Sequence, residues 1–307
     1  MDLAYYTLDV FTDRMFGGNP LGVVPDAVGL DPATMQSIAR ELNLSETVFL
    51  LPPETPWGTR RLRIFTPAHE VPFAGHPTVG AAWYLVESGE VPAMSDGVTT
   101  LVLEENVGPV TVEVRTRAGW PEFVRFQTAV LPERRPGPDR AICAQLLSLT
   151  EDEIGEPGWE PEMVSCGLPF LVIPVRDVDA LGRSRLDPAA WEEHLEGAWA
   201  RAVYPITPRP LDSGVDLRVR MYAPSAGVPE DPATGSAAAA LAGYMAKRAP
   251  GDGSYRWRIE QGVEMGRPSL IEAEADVSGG QITAVRVGGT AVAVGRGTMT
   301  IPTDDAG

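Results

Sequence analysis

Apolar and polar positions follow two periods along this chain, which predict short strands and a few helices. Residues 99–104 and 110–115 alternate strictly, as strands do, because successive side chains of an extended chain point to opposite faces. Between residues 35 and 42 apolar side chains recur at helical spacing. Asp31 can cap this predicted helix, and Pro32 suits its first turn. Strands and helices mixed in this way favour an α+β fold.

The same pattern occurs twice, once in each half of the chain. Four segments align in order with only small insertions between them: 18–25 with 167–174, 31–33 with 187–189, 61–67 with 218–224, and 70–82 with 230–242. A repeat of this length indicates two similar supersecondary units. We therefore predict two pseudo-symmetric lobes over residues 1–125 and 126–285, with 286–302 able to return to the first. Residues 134–138, rich in Pro and Gly, look like a linker between them.

Composition narrows the classes of function. The 307 residues include 42 acidic and 25 basic ones, and the net charge of −17 disfavours nucleic acid or an anionic membrane as partner. No basic, apolar leader pattern opens the chain, and no apolar run approaches the roughly 20 residues of a membrane span. We therefore expect a cytoplasmic protein. The cysteines, Cys143 and Cys166, provide no disulfide framework.

Cofactor chemistry is also disfavoured by the sequence. The single lysine, Lys247, stands at a predicted helix end, where it is a poor candidate for a Schiff base. Neither a phosphate-binding loop nor a dinucleotide-binding glycine fingerprint is present, and the three histidines are too scattered for a metal site. We expect a protein that works without a cofactor and without a metal.

Two glycine turns at equivalent places in the repeat are the strongest candidates for a binding site. Gly75 and Gly235 each precede a helix that begins with small residues, and His76 aligns with Ser236. A helix start exposes unpaired N–H groups and about half a positive charge, and therefore binds anions. Glycine lets a ligand approach this backbone closely. We expect both helix starts to face the seam between the lobes, although two merely structural turns would give the same pattern.

Glu46 is the candidate acid–base group. In an extended chain its side chain shares a face with Leu44, Val48 and Leu50. A carboxyl group on an apolar face loses hydration, which raises its pKa toward neutrality and suits it to general acid–base catalysis. A solvated or capping carboxylate at the start of a strand explains the same residues.

Four motifs in order resemble the PhzF family of phenazine biosynthesis. They read NLSETVF at 43–49, TPAHEVPFAGHPT at 66–78, EDPATGSA at 230–237 and EQGVEMGRPS at 260–269, and the resemblance extends over residues 5–300. That family belongs to the diaminopimelate-epimerase-like superfamily. The resemblance therefore implies two pseudo-symmetric α+β lobes, each a central helix wrapped by a curved, mostly antiparallel sheet.

The resemblance also implies a homodimeric, cofactor-independent isomerase that shifts a proton on a small carboxylate-bearing substrate, of the cyclic amino acid or dihydro-hydroxyanthranilate type. Glu46 matches the family's acid–base glutamate. The other matched positions are His76 and Asp231 among the catalytic residues, and Gly75, Gly235, Ser236 and Thr234 among the substrate-binding residues.

Two other functions remain open. A non-catalytic module that binds small carboxylates would keep the anion site without turnover. Amino-acid epimerases of this superfamily use two cysteines just before the glycines, where this chain has Ala74 and Thr234. Neither side chain can form a thiolate, so an epimerase of that type is disfavoured. The glycine-rich hairpin at 261–269 is predicted either to line the pocket or to pack the lobes.

Overall fold

The computed structural model describes residues 1–155, 157–208 and 214–301. The chain divides into two compact units, one formed by Met1–Phe126 with the segment from Gly288 onward, the other by Gln127–Val287. Each unit combines strands with a smaller number of helices, so the predicted α+β class is confirmed.

The first unit alternates parallel and antiparallel strand pairs. Strand β2 pairs with β3 in parallel, β3 with β4 antiparallel, β4 with β6 in parallel, and β6 with β7 antiparallel. The elements are β1 (Asp2–Val10), β2 (Asn19–Val24), α1 (Pro32–Leu42), β3 (Glu46–Leu51), β4 (Arg60–Phe65), β5 (Glu70–Val71), α2 (Gly75–Glu87), β6 (Gly97–Glu105), β7 (Gly108–Arg117) and β8 (Trp120–Gln127).

The second unit repeats this order of pairings. Strand β11 pairs with β12 in parallel, β12 with β13 antiparallel, β13 with β14 in parallel, and β14 with β15 antiparallel. The elements are β9 (Glu133–Pro136), α3 (Arg140–Leu147), β10 (Glu162–Ser165), β11 (Pro169–Pro174), α4 (Val178–Arg183), α5 (Pro188–Leu195), β12 (Ala202–Thr207), β13 (Leu217–Val219), α6 (Gly235–Ala246), β14 (Gly253–Gln261), β15 (Ser269–Ser278) and β16 (Gln281–Gly289).

The last strand, β17 (Ala291–Thr300), belongs to the first unit. It pairs antiparallel with β1 along the whole length of that strand, from Asp2 opposite Thr300 to Val10 opposite Ala291. The first and last strands of the chain therefore close the same unit.

The prediction of a linker at residues 134–138 is wrong for most of that segment. Residues Glu133–Pro136 form β9, which pairs antiparallel with β10, with Glu133 opposite Ser165. Arg134 makes an ion pair with Glu162 across this strand pair. The sequence of this segment is charged and contains proline, which is typical of a linker. The glutamate that pairs with Arg134 lies on another strand, so the local sequence does not reveal it.

Helix α1 begins as its sequence predicts. The Asp31 side chain accepts hydrogen bonds from the N–H groups of Ala33 and Thr34, at 2.8 and 3.0 Å. Asn43 ends the helix in the left-handed conformation, with φ of 49°. A short polar side chain tolerates this conformation better than most residues do. The face toward the core consists of Met35, Ile38 and Ala39.

Helices α2 and α6 are the central helices of the two units. Every residue of α2 up to Val86 is buried, and the helix contacts β1, β2, β3, β6 and β7; α6 in turn contacts β10, β11, β14 and β15. A helix that is apolar on all sides packs inside a core. Small residues permit close packing, since a Cβ atom at Gly80 would lie 2.4 Å from the Leu21 side chain. No helix in the described part of the chain is long and apolar enough to cross a membrane.

An equivalent ion pair stands before each central helix. Arg63 donates two hydrogen bonds to Glu70, at 2.8 and 2.6 Å, and Arg220 donates two to Glu230, at 2.7 and 2.8 Å. The Arg63 guanidinium lowers the pKa of Glu70. Two-point contacts of this kind fix orientation as well as distance. They therefore hold the segments that lead into α2 and α6 in the same way in both units.

The turn between β14 and β15 provides a test of packing against the segment before α6. Gly262 and Gly266 have similar φ values, 77° and 71°, which favour glycine. A Cβ atom at Gly262 would lie 2.6 Å from the Pro232 carbonyl oxygen, whereas one at Gly266 meets nothing within 4 Å. In urea unfolding, Gly266→Ala should lower the free energy of unfolding by about 1 kcal/mol and Gly262→Ala by about 2–4 kcal/mol. Equal losses would contradict the close packing of this turn.

Candidate active site

Glu46 and His76 lie next to each other in the first unit. Glu46 is the first residue of β3, and His76 stands in the first turn of α2. Glu46 Oε2 lies 3.2 Å from His76 Nε2; the side chains are 19% and 5% exposed. The pair therefore combines a carboxyl group that reaches the surface with an imidazole that does not.

The surroundings of Glu46 differ in part from the expected apolar face. Val48 and Leu50 are buried on β3, as expected, but the strand begins at Glu46 itself. Leu44 lies in the preceding bend and is partly exposed. Glu46 is thus a carboxyl group at the start of a strand, and its imidazole neighbour distinguishes it from a solvated one.

A backbone carbonyl fixes which ring nitrogen of His76 carries hydrogen. The ring makes a hydrogen bond to the backbone of Pro20, and because proline has no N–H, its carbonyl oxygen must accept. Nε2 is the atom beside Glu46, so the donor is Nδ1. Sequence reasoning did not identify Pro20 as part of the site, because a backbone carbonyl gives no signal in residue type.

Burial keeps the His76 ring neutral. Loss of hydration lowers its pKa to about 3, and the hydrogen bond to Pro20 opposes this shift only partly. A neutral ring with hydrogen on Nδ1 presents a lone pair at Nε2, toward Glu46 Oε2. The ring can therefore accept a hydrogen bond from this carboxyl group only when the group is protonated.

The start of α2 has no side-chain cap. Its N-cap residue is Ala74, which offers no oxygen to the opening N–H groups of the helix. Gly75 follows, buried and without a Cβ atom to cover the backbone. The first N–H groups of this helix consequently remain as donors for a ligand.

The corresponding corner of the second unit is more polar. Asp231 is buried, and its carboxylate accepts a hydrogen bond from the Thr234 hydroxyl. Gln261 Nε2 donates to the Asp231 carbonyl at 2.8 Å and to Thr234 Oγ1 at 3.0 Å. Gln261 Oε1 accepts from the Thr234 N–H at 3.3 Å. One buried amide therefore makes three hydrogen bonds to Asp231 and Thr234 in the segment before α6.

Gly235 and Ser236 open α6. Gly235 is buried, Ser236 is partly exposed, and the N-cap residue Thr234 makes no capping bond with its side chain. Within the described residues, the Ser236 hydroxyl makes no hydrogen bond. The structure thus brings Asp231, Thr234, Gly235 and Ser236 together in one corner of the second unit, and Glu46, Gly75 and His76 in one corner of the first.

The thiols are poorly suited to catalysis. Burial raises the pKa of Cys143 and of Cys166 to about 12, so both remain protonated near neutral pH. Cys143 belongs to the core of the second unit, and the Cys166 thiol contacts the Ala239 carbonyl. Among the described residues, no group of three or more His, Cys, Asp or Glu side chains could hold a metal ion.

Sequence comparison decides the family. A family model for phenazine biosynthesis-like proteins, PhzC-PhzF, matches residues 8–297. This chain belongs to that family. An uncharacterized isomerase of Mesorhizobium japonicum is 47% identical over 97% of this chain and 98% of its own. The trans-2,3-dihydro-3-hydroxyanthranilate isomerase of Pseudomonas fluorescens is 36% identical over 97% of this chain and 99% of its own. This member of the PhzF family is therefore an enzyme of the isomerase class.

Structural comparison confirms the fold implied by the family resemblance. A phenazine biosynthesis protein of the PhzF family from Bacillus anthracis superimposes with a TM-score of 0.88. The match covers 98% of this chain and 100% of that protein, at 24% sequence identity. At this level of identity the likeness concerns the fold alone.

His76 should remain neutral with hydrogen on Nδ1 in the folded PhzF-family protein. By ¹⁵N NMR, we expect this state to persist down to about pH 4, whereas the ring of the denatured chain titrates near its ordinary value of about 6.5. Because the folded pKa is the lower one, this histidine's contribution to stability is complete above about pH 6.5 and is lost as the pH falls toward 3. A folded ring that gains its second proton near pH 6.5 would contradict this assignment.

Proposed function

We propose that this PhzF-family protein is a cofactor-independent isomerase that shifts a proton on a small carboxylate-bearing substrate, with Glu46 as the general acid–base. The observation that carries the proposal is the 3.2 Å separation between Glu46 Oε2 and Nε2 of a buried His76. General acid–base catalysis needs a group that both accepts and returns a proton near the operating pH.

At most one proton can lie between the two side chains. Since Nδ1 of His76 donates to Pro20, only one proton fits between Nε2 and Glu46 Oε2. With the proton on Oε2, Glu46 is an acid whose hydrogen is directed at a neutral ring. Without that proton, Glu46 is a carboxylate beside a ring that stays neutral, and it can act as a base.

The proposed reaction uses one carboxyl group for both proton transfers. As a base, Glu46 takes a proton from a substrate carbon, and the electron pair of that C–H bond enters the adjacent unsaturated system. As an acid, it returns the proton to another carbon of the same system. Atoms and charge balance without an oxidant or a further reactant. Negative charge that develops on the substrate is stabilised by preorganised N–H donors.

The helix starts supply those donors. We assign the backbone N–H groups at Gly75 and Gly235 to the substrate carboxylate, because both glycines are buried at uncapped helix starts. Thr234 and Ser236 provide hydroxyl groups, and Asp231 a buried carboxylate that can accept a hydrogen bond from an amino or hydroxyl group of the substrate.

The names of several relatives and these hydrogen-bond donors support a proposal for the substrate class. Several relatives are named trans-2,3-dihydro-3-hydroxyanthranilate isomerases. That compound combines a carboxylate, an amino group and an unsaturated ring, which suits anion-binding N–H groups beside a proton-transfer residue. We propose a cyclic amino-carboxylate of this type for the present protein.

The alternatives are weaker. A non-catalytic carboxylate-binding module needs no proton-sharing pair, so it leaves the arrangement of Glu46 and His76 without a purpose. A thiol epimerase needs reactive cysteines, whereas both thiols have a raised pKa and neither stands at the start of α2 or α6.

Replacement of Glu46 should separate catalysis from binding. In D₂O with trans-2,3-dihydro-3-hydroxyanthranilate, the unchanged enzyme should exchange deuterium into the isomerised product, which mass spectrometry detects. Glu46→Gln should lower kcat by about 10²–10⁴-fold, because the amide cannot take up the proton. Calorimetry should show binding of the same ligand within about tenfold, because the carboxylate contacts remain. The assay runs with and without a chelator to test independence from metals.

Glu41→Gln is the matched control for this experiment. Glu41 is exposed on α1, so its change alters net charge without touching the pair. It should leave kcat unchanged. A Glu46→Gln variant with full turnover would refute the proposed role of Glu46. Ligand binding without turnover in the unchanged protein would support the binding module instead.

We also propose that the enzyme is a cytoplasmic homodimer, as the family resemblance implies. Multi-angle light scattering on the purified chain should give twice the 32.9 kDa mass of one chain. The mass should stay the same over at least a tenfold range of concentration. A mass of about 33 kDa throughout that range would show a monomer.

A further inference from the structure

Glu105 is a buried acid in the first unit that the proposed reaction does not use. It is the last residue of β6, opposite Gly108 of β7, and it is 5% exposed. It reaches the start of α2 through Thr78, whose Oγ1 lies 2.7 Å from Glu105 Oε1. Within the described residues, Glu105 Oε2 makes no hydrogen bond. If Glu105 were ionised, this buried oxygen would carry negative charge without water or a hydrogen-bond donor to stabilise it.

Counting protons at Thr78 shows which form of Glu105 fits. Thr78 Oγ1 also lies 2.8 Å from the carbonyl oxygen of Ala74, the N-cap residue of α2. A hydroxyl group has one hydrogen, and a carbonyl oxygen can only accept. The one hydroxyl hydrogen can serve Ala74 or an ionised Glu105, and both short contacts are hydrogen bonds at once only when the carboxyl group carries a hydrogen of its own. Protonated Glu105 then donates to Thr78, which donates to Ala74.

The second unit fills the equivalent place with an amide. Arg61 of β4 pairs in register with Glu104, and its repeat partner Arg218 pairs in register with Glu260. The next residues along the strands, Glu105 and Gln261, are therefore equivalent. Gln261 has almost the same shape as a protonated glutamate and cannot ionise.

The two side chains also do the same task. Gln261 binds Asp231 and the backbone and side chain of Thr234, directly before Gly235. Glu105 binds Thr78, and through it Ala74, directly before Gly75. Each buried side chain thus fixes the residue that precedes a helix-opening glycine.

The charges around Glu105 do not offset its burial. Arg61 on β4 is the neighbouring cation, but it donates to the Glu104 carbonyl and to Asn106. On β5, Glu70 is engaged by Arg63, and on α2 the His76 ring is neutral. The adjacent Glu104 carboxylate accepts hydrogen bonds from the N–H groups of residues 54 and 55. Burial raises the pKa of Glu105 to about 8, with Thr78 and Arg61 opposing the shift.

We propose that Glu105 is a positioning residue that, in its protonated form, locks Ala74, Gly75 and His76 in place for catalysis, and that its ionisation unlocks them at alkaline pH. This inference rests on the proposed function for its catalytic part. Ionisation breaks the chain of hydrogen bonds, since a carboxylate competes with Ala74 for the one hydrogen of Thr78. Ionised Glu105 would also place a negative charge near the start of α2, where the N–H groups are proposed to bind the substrate carboxylate.

The chain itself suggests the test, because it already carries glutamine at the equivalent place. Glu105→Gln should keep kcat/KM within about threefold at pH 7, while Glu105→Leu should lower it at least tenfold. Above pH 8 the unchanged enzyme should lose about tenfold in kcat/KM per pH unit from this ionisation. Glu105→Gln should lack that loss, and the control Glu41→Gln should retain it. An alkaline loss that persists in Glu105→Gln would overturn the proposal.

A second measurement needs no substrate. The folded pKa of Glu105 is raised, so its favourable contribution is complete below about pH 4.5 and is lost as the pH rises through 8. The urea midpoint of the unchanged protein should therefore fall relative to that of Glu105→Gln over this range. No such change would overturn the proposal even if Glu46 behaves as expected. A failed Glu46 test together with this change would refute the proposed function and still support the protonated lock.

Discussion

Exclusion of charge from the buried start of α2 is the constraint on which this protein depends. His76 is a base and Glu105 an acid, yet burial favours the neutral form of both, lowering one pKa and raising the other. With both groups neutral, the N–H groups at Gly75 set the local field. The net charge of −17 therefore does not contradict the proposed binding of a carboxylate, because short-range donors in a poorly hydrated site outweigh distant surface charges.

The two units meet the same requirement with different residues. Each has a central helix without a side-chain cap, a two-point arginine–glutamate pair before it, and a buried side chain at the end of the equivalent strand. The residues after the glycines differ, however: His76 in one unit, Ser236 in the other. In the function that we propose, the imidazole beside Glu46 assists proton transfer and the hydroxyl groups of the second unit contribute to recognition. The two units thus share the same backbone arrangement but carry different side chains after the helix-opening glycine.

The sequence was informative wherever function or structure depends on local residue type. The cap at Asp31, the glycine at each helix start and the repeated pairings follow from short motifs, and Glu46 follows from its motif. The contact between Glu46 and His76 could not be predicted without the family, because it joins a strand to a helix 30 residues later. Residues 134–138 were misread, since partners from other strands decide whether charges belong to a loop or to a sheet. Glu105 was overlooked, although extending the repeat to Gln261 would have revealed it.

The proposed use of a single acid–base residue, Glu46, also limits which reactions the enzyme could catalyse. Racemisation at one carbon requires proton removal on one face and delivery on the other, and therefore a second group able to exchange protons. The residues at the second helix start, Thr234 and Ser236, carry hydroxyl groups that are poor acids and bases near neutral pH. The buried thiols are no substitute, because both remain protonated. A proton that leaves and returns through Glu46 stays on one face of the substrate, which suits a shift between two carbons and does not invert either one.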